Sequence, residues 1–366
     1  MTTNTPGIPA HTSDISVAWL NSVFEAHHQV GTIDQVRIET MGEGVGILGE
    51  VARVHLTYAP GQTGPTTMVA KCQSLFPENI FISEVMGFYL REVNFYRQLA
   101  STIPMRVPKP YFVDSGPTGV PFVLLLEEIH GARMIDQVTG ATLDDCEQIV
   151  DVGAALHAHF WESPDLYALD WLPPWNNPAY KGAKDLVAAK IDAFKSAWRD
   201  RIPADALAWM DPYTAVYPES LDWWVEQGNV TLSHTDFRAE NFLFGGSAGV
   251  GTVTTLDFQV MTRHVGVWDI ANFLGMSVTT ENRRDWEPAL LRRYHAALLA
   301  NGVTNYDFER CVRDYRYCTL QQAWAQIAIS DVDPGNDRGR ALLDAMVTRS
   351  FQNASDHNAG EALEAF

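Results

Sequence analysis

The chain has 366 residues, enough for about two domains. Its 46% hydrophobic and 19% charged composition excludes a wholly disordered or fibrous protein. With 26 Lys and Arg against 45 Asp and Glu the formal net charge is −19, which repels phosphate backbones and anionic membranes. Neither nucleic acid nor a membrane surface is therefore expected as a partner, while neutral and cationic small molecules remain open.

In chain order, Ser13 or Asp14 stands where a cap would open a first helix, followed by Val17, Trp19, Leu20, Val23 and Phe24. Residues 33–41 read as a strand, and Val54, Leu56 and Tyr58 alternate as strand residues do. A turn-rich run over 59–65 and a short strand over 66–72 complete a hairpin meander. Residues 83–100 read as one helix with Leu90, Val93, Tyr96 and Leu99 on its apolar face. Strands are predicted at 111–114 and 121–128, the second carrying the apolar run of a strand buried on both faces. Helical periodicity then dominates, broken by a β-rich island over 230–258. This pattern predicts an α+β protein with a small N-terminal β lobe and a larger helical lobe, hinged near 127–131. Residues 160–227 hold seven of the eleven tryptophans and read as an insertion on the helical lobe. Residues 353–366 read as a frayed helix or tail. Cys72, Cys146, Cys311 and Cys318 form no CxxC pair, the N-terminal stretch lacks the pattern of a signal peptide, and the densest apolar run is too short to span a bilayer. A cytoplasmic location is the expectation.

Three motifs carry chemistry. Gly44, Gly46 and Gly49 form G-x-G-x-x-G-x-V with Val51, and glycines let backbone approach phosphate oxygens. A strand follows where a dinucleotide-binding fold would place a helix, which favours a flap over ATP phosphates and disfavours an oxidoreductase. Lys71 ends the strand over 66–72, where a cation can meet α- and β-phosphates. It needs a carboxylate partner from a nearby helix: Glu92, with Glu84 about two turns earlier as the second candidate. The third motif is the run His234-Thr235-Asp236-Phe237-Arg238-Ala239-Glu240-Asn241, with Asp257-Phe258-Gln259 sixteen residues beyond Asn241. In the phosphoryl-transfer template the first Asp accepts the substrate hydroxyl proton, and the Asn and second Asp hold Mg²⁺ through hard oxygen ligands.

On these motifs, together with FYLREVNFY, FVLLLEEI, ALHAHFW and VWDIANFL, the chain resembles the aminoglycoside phosphotransferase-like kinases over about residues 40–275. Asp-Phe-Gln and Lys-Cys-Gln look most like their ecdysteroid kinase-like (CHK kinase-like) branch. The resemblance implies a protein-kinase-like two-lobed fold and ATP- and Mg²⁺-dependent phosphorylation of a small-molecule hydroxyl. It implies an N-terminal lobe over 1–128, with a five-stranded antiparallel sheet, and a helical lobe over 129–366. Carried over by position, Asp236 is the catalytic base, Asn241 and Asp257 are the metal ligands, Lys71 is the phosphate-binding cation and Glu92 its partner. The Glu127 carbonyl and Ile129 amide would meet the adenine edge, and Asp269 would brace the catalytic loop. One departure is Thr235, where the family usually has Gly. A threonine reaches positive φ only at a cost, so either the backbone there is ordinary or the loop is reshaped. No activation segment is recognisable, which argues against a protein substrate.

Other signals carry less. His157 and His159 do not share a helix face and read as core packing, and Arg283-Arg284 and Arg292-Arg293 read as solvated faces. The tryptophan-rich insertion suggests an acceptor pocket for a bulky apolar alcohol such as a steroid-like compound. The net charge suggests instead a cationic aminoglycoside or choline-like acceptor. A catalytically silent nucleotide binder is the alternative of another class, and retention of Lys71, Asp236, Asn241 and Asp257 argues against it.

Overall fold

The structure is a computed structural model describing residues 7–27, 30–41, 48–332 and 335–366. Two compact units emerge: Met1–Thr102 with Val107–Ala132 and Gly246–Gly249, and Ile103–Arg106 with Arg133–Gly245 and Val250–Phe366.

The first unit begins with helix α1 (Val17–His27) and is built on strands β1 (Ile33–Thr40), β2 (Gly49–Tyr58) and β3 (Thr67–Gln73). Helices α2 (Pro77–Met86) and α3 (Phe88–Gln98) follow, then β4 (Pro110–Ser115) and β5 (Phe122–Glu127). The strands form one antiparallel sheet in the order β1-β2-β3-β5-β4. Alternation does the sorting: Ala52, Val54 and Leu56 point inward on β2, and Leu20, Val23 and Phe24 of α1 close over Val54, Leu56, Met68 and Ala70. On β5 every residue from Phe122 to Leu126 is buried, and Tyr89 of α3 stacks on Phe122 with centroids 4.7 Å apart. The single helix expected over 83–100 is instead two, parted at Gly87, whose φ of 70° ends α2 in a left-handed cap. The apolar spacing of α3 runs unbroken back to Phe88, so periodicity alone does not mark the break.

After β6 (Ala132–Met134), whose first residue belongs to the first unit, the second unit contains α4 (Leu143–His159), the helical turns α5 (Pro164–Tyr167) and α6 (Pro178–Lys181), α7 (Ala183–Trp198) and α8 (Ala206–Glu226). Then come β7 (Val230–Ser233), β8 (Phe242–Gly245), β9 (Val253–Thr255) and β10 (Thr262–Val265), and helices α9 (Val267–Ser277), α10 (Thr280–Ala300), α11 (Phe308–Ala325) and α12 (Asp337–Asp356). Thr142 and Asp145 form a capping box that starts α4. Antiparallel pairs β7–β10 and β8–β9 hold the loops between them. Helix α9 is buried along its whole length. Of the tryptophans in 160–227, Trp175, Trp198, Trp209 and Trp224 are buried in the core, while Trp161, Trp171 and Trp223 keep partial exposure.

Two expectations are corrected here. The chain end is not a frayed tail: α12 runs to Asp356, a 3₁₀ turn spans Ala359–Ala365 with Ala359 and Ala362 buried, and Phe366 meets Tyr213, Trp223 and Tyr317. Arg283 is not on a solvated face. It is buried, paired with Glu287 at 2.9 Å and with Asp356. Its neighbour Arg284 remains half-exposed but also grips Asp356. Among the described residues no helix is long and apolar enough to cross a membrane.

Candidate active site

In the sheet unit, β3 places Lys71 opposite Val51 and Leu124, and its Nζ donates to Glu92 Oε2 at 2.8 Å. The side chains are 13% and 2% exposed, so the pair is shielded from bulk water and little screened. Glu84, the second candidate, instead accepts a hydrogen bond from Thr118 Oγ1. Gly49 begins β2 beside the lysine: a Cβ there would stand 3.3 Å from Lys71 Cε and 3.1 Å from the Cys72 carbonyl. The glycine therefore leaves room for the Lys71 side chain. Gly44 and Gly46 lie outside the described residues. Glu127 ends β5; its amide donates to the Lys109 carbonyl and its carboxylate accepts from the Lys109 amide. Ile129, two residues on, is buried. Glu128 between them holds Arg53 at 2.7 Å.

In the helical unit, the loop after β7 is built around one buried carboxylate. Asp269, on the first turn of α9, accepts from Ser233 Oγ at 2.7 Å, His234 N at 2.7 Å, Thr235 N at 2.9 Å and His157 Nε2 at 3.0 Å. Burial opposes its charge, but these donors hold its carboxyl below the ordinary range. His157 is fixed from its other side by Tyr294 at 2.9 Å. It is buried as core packing predicts, yet both ring nitrogens are used, so it also orients Asp269. His234 Nε2 meets the Leu256 carbonyl at 2.9 Å, tying the loop to the segment that carries Asp257.

Thr235 has φ 72°, so the loop keeps the left-handed turn that glycine usually supplies. The carbonyl of Thr235 accepts from Asn272 Nδ2 at 2.6 Å and Trp268 Nε1 at 3.3 Å, and its hydroxyl lies 3.0 Å from that of Thr262. This conformation turns Asp236 away from the core, leaving its side chain 31% exposed. Asn241 Nδ2 donates to the Asp236 carbonyl at 2.7 Å and to Asp236 Oδ2 at 2.9 Å. Arg238 Nε donates to the same oxygen at 3.2 Å. Asp236 Oδ1 accepts no hydrogen bond among the described residues. Leu256 N donates to the Asn241 carbonyl at 2.9 Å, bringing Asp257 beside this loop. Asp257 has φ 63° and its Oδ2 accepts from Gln259 at 3.2 Å. Asp236, Asn241 and Asp257 thus come together in one unit, and Lys71 with Glu92 in the other.

Sequence reasoning passed over Arg238, the only Lys or Arg between Leu232 and Leu256. Burial would discharge its guanidinium, but Asp236, Glu240 and Asp257 more than offset this and hold its proton firmly. Its place two residues after Asp236, in a loop otherwise acidic, is the signal that could have found it.

Asn241 and Asp257 supply hard oxygen donors, a set that suits Mg²⁺ with water and phosphate filling the remaining positions. The Asn241 amide nitrogen is spent on Asp236, which leaves its carbonyl oxygen for such an ion. Among the described residues no group of three or more His, Cys, Asp or Glu side chains forms a metal cage.

A sheet unit with a buried Lys–Glu pair and a helical unit with an Asp–Asn loop braced by a buried Asp define a protein-kinase-like α+β fold. Solved structures share it: a Plasmodium vivax ethanolamine kinase (TM-score 0.53, 13% identity, 93% of this chain and 87% of that one) and wild-type aminoglycoside 2'-phosphotransferase-IIIa in complex with GDP (TM-score 0.51, 13% identity, 96% and 98%). At such identity they speak to the fold alone. The family described as phosphotransferase enzyme family matches residues 83–310. The chain belongs to that family and is a phosphotransferase. No curated protein matches it in sequence.

Proposed function

We propose that the protein transfers the γ-phosphoryl group of ATP to a hydroxyl of a small molecule, with Mg²⁺, and that Asp236 is the base. The observation that carries this reading is the asymmetry of the Asp236 carboxylate: Oδ2 is tethered by Asn241, while Oδ1 is left to accept a hydroxyl proton. As the acceptor oxygen bonds to the γ-phosphorus, its proton passes to Oδ1 and the bond to the ADP oxygen breaks. Asn241 and Asp257 would hold the Mg²⁺, which neutralises phosphate charge when bound. Lys71, oriented by Glu92, would bind the α- and β-phosphates, and the glycine motif of Gly44, Gly46 and Gly49 would contribute to nucleotide binding. The Glu127 carbonyl and Ile129 amide would meet the adenine edge. Functionally the lobes would then be 1–128 and 129–366.

For the acceptor, a bulky apolar alcohol such as a steroid-like compound is the first reading. Asp-Phe-Gln and Lys-Cys-Gln support the ecdysteroid kinase-like branch, and Trp161, Trp171 and Trp223 of the 160–227 segment are the partly exposed rings that could face such a ligand. The net charge of −19 and the ethanolamine kinase among the neighbours favour a second reading, a cationic aminoglycoside- or choline-type acceptor.

The test is ADP release with Mg²⁺ across steroids, aminoglycosides, choline-like amines and sugars, with Asp236→Ala as the blank. Acceptor-stimulated release that falls at least about 100-fold in the variant is the expected result. Equal rates in the two proteins would refute the role of Asp236.

A further inference from the structure

We propose that Arg238 is a second catalytic residue, whose Nη2 meets the phosphoryl group in flight between ATP and acceptor. This rests on the transfer reading above and adds the group that stabilises its transition state.

The guanidinium is held at two of its three nitrogens. Nε donates to Asp236 Oδ2 at 3.2 Å and Nη1 to Glu240 Oε2 at 2.9 Å, with Gln137 Oε1 at 3.5 Å. Nη2 has no partner among the described residues, and the side chain keeps 21% exposure. Glu240, only 7% exposed, is itself fixed by Arg338 at 2.7 Å. An arginine present only to orient Asp236 would present its two-pronged edge to the carboxylate. Here the contact is single and the far end of the fork is left over. Asn241 already grips the same Asp236 oxygen at 2.9 Å, so orientation does not require the arginine.

The two unused atoms, Asp236 Oδ1 and Arg238 Nη2, belong to side chains in direct contact. One can take the acceptor proton while the other donates to a phosphoryl oxygen. In a loose transition state negative charge spreads over the equatorial oxygens of the transferring group, and a fixed guanidinium stabilises that charge more than it stabilises bound ATP. Arg238 keeps its proton throughout. The bonds made and broken remain those already described. Glu240 and Arg338 are positioning residues, because they aim the fork without touching the reacting atoms.

The experiment measures calorimetric affinity for Mg·ADP alone and with aluminium fluoride, a mimic of the transferring phosphoryl group, in wild type, Arg238→Met and Arg238→Lys. Arg238→Met should bind Mg·ADP within about twofold of wild type. It should bind the fluoride complex about 100-fold more weakly and lose kcat by a similar factor at near-constant KM for ATP. Arg238→Lys, which keeps the charge and the fold of the loop, should fall between. Glu240→Gln should lower kcat and leave Mg·ADP binding unchanged. Equal tightening by fluoride in wild type and both Arg238 variants would overturn the assignment while leaving the kinase reading intact. A wild-type protein that binds no Mg·ADP would overturn both.

Discussion

Thr235 shows at a single residue how the loop can afford an unfavourable backbone. A β-branched residue at φ 72° costs roughly 1–2 kcal/mol. Asp269, Asn272 and Trp268 fix both of its peptide groups, so the turn persists. Thr235→Gly keeps all of those bonds, removes the strain and loses the hydroxyl's contacts with Thr262 at 3.0 Å and the Ser233 carbonyl at 3.4 Å, the second long and weak, together worth about 1 kcal/mol. Its stability in urea unfolding should lie within about 1 kcal/mol of wild type, because the two changes nearly cancel. Thr235→Val keeps the strain and loses both hydroxyl contacts, and should be the less stable of the two. A glycine variant clearly weaker than the valine variant would show that the turn is not strained. The sequence makes the threonine visible as a departure but leaves two outcomes open, because the choice is made by Asp269 and Asn272, 34 and 37 residues away. Asp236 and Asn241 are legible in the sequence for the opposite reason: their spacing within one loop suffices to place them together. Arg238 is legible as a cation but not as a donor with one end unused, since that depends on Glu240 and on Arg338 of a distant helix.

Between elements, glycines and ion pairs set the joints. Gly87 both ends α2 and starts α3, and no atom lies within 4 Å of where its Cβ would be. Gly87→Ala therefore reports conformational strain alone and should cost about 1 kcal/mol, read as a lower thermal midpoint. An unchanged midpoint would mean the left-handed turn opens without loss. The joint between α10 and α12 is electrostatic. Asp356 is penalised by burial, but Arg284, Gln352 and Arg283 bring its carboxyl from 3.8 to about 2. A depressed folded value means this contribution is complete above about pH 4 and is lost as pH falls towards 2. Glu287 is shifted in the same direction, against burial, by His357, Arg283 and Tyr315. Acid titration of stability should thus steepen below about pH 4, and Asp356→Asn should flatten that limb while costing on the order of 1 kcal/mol at neutral pH. An identical acid limb in the variant would remove Asp356 from the account. Adjacent arginines on a helix look alike in sequence; only the docking of α12 separates buried Arg283 from half-exposed Arg284.

At the scale of the molecule, the strand and helix succession discloses two units, but the sequence does not show that 246–249 leaves the helical part to join the sheet unit. That crossing depends on Gly246: at φ 64°, a Cβ there would stand 2.4 Å from the His130 carbonyl, while Ser247 exchanges hydrogen bonds with His130. The four cysteines sample both units. Cys72 sits in the sheet, and Cys146, Cys311 and Cys318 sit in the helical core, all buried. Burial pushes the first three thiols up to about 12 and raises Cys318 well above the ordinary thiol range, so none should react with a thiol reagent at pH 8 while folded. Labelling then reports opening. The sheet unit closes its α1 face with a small apolar cluster, whereas the helical unit has one extensive aromatic core, and smaller cores hold less stability. Peptide mass spectrometry across a urea series should find Cys72 modified at lower denaturant than the other three. Modification of all four at one midpoint would mean that the units unfold as a single cooperative body, and that saturating Mg·ADP should raise that shared midpoint for every thiol alike.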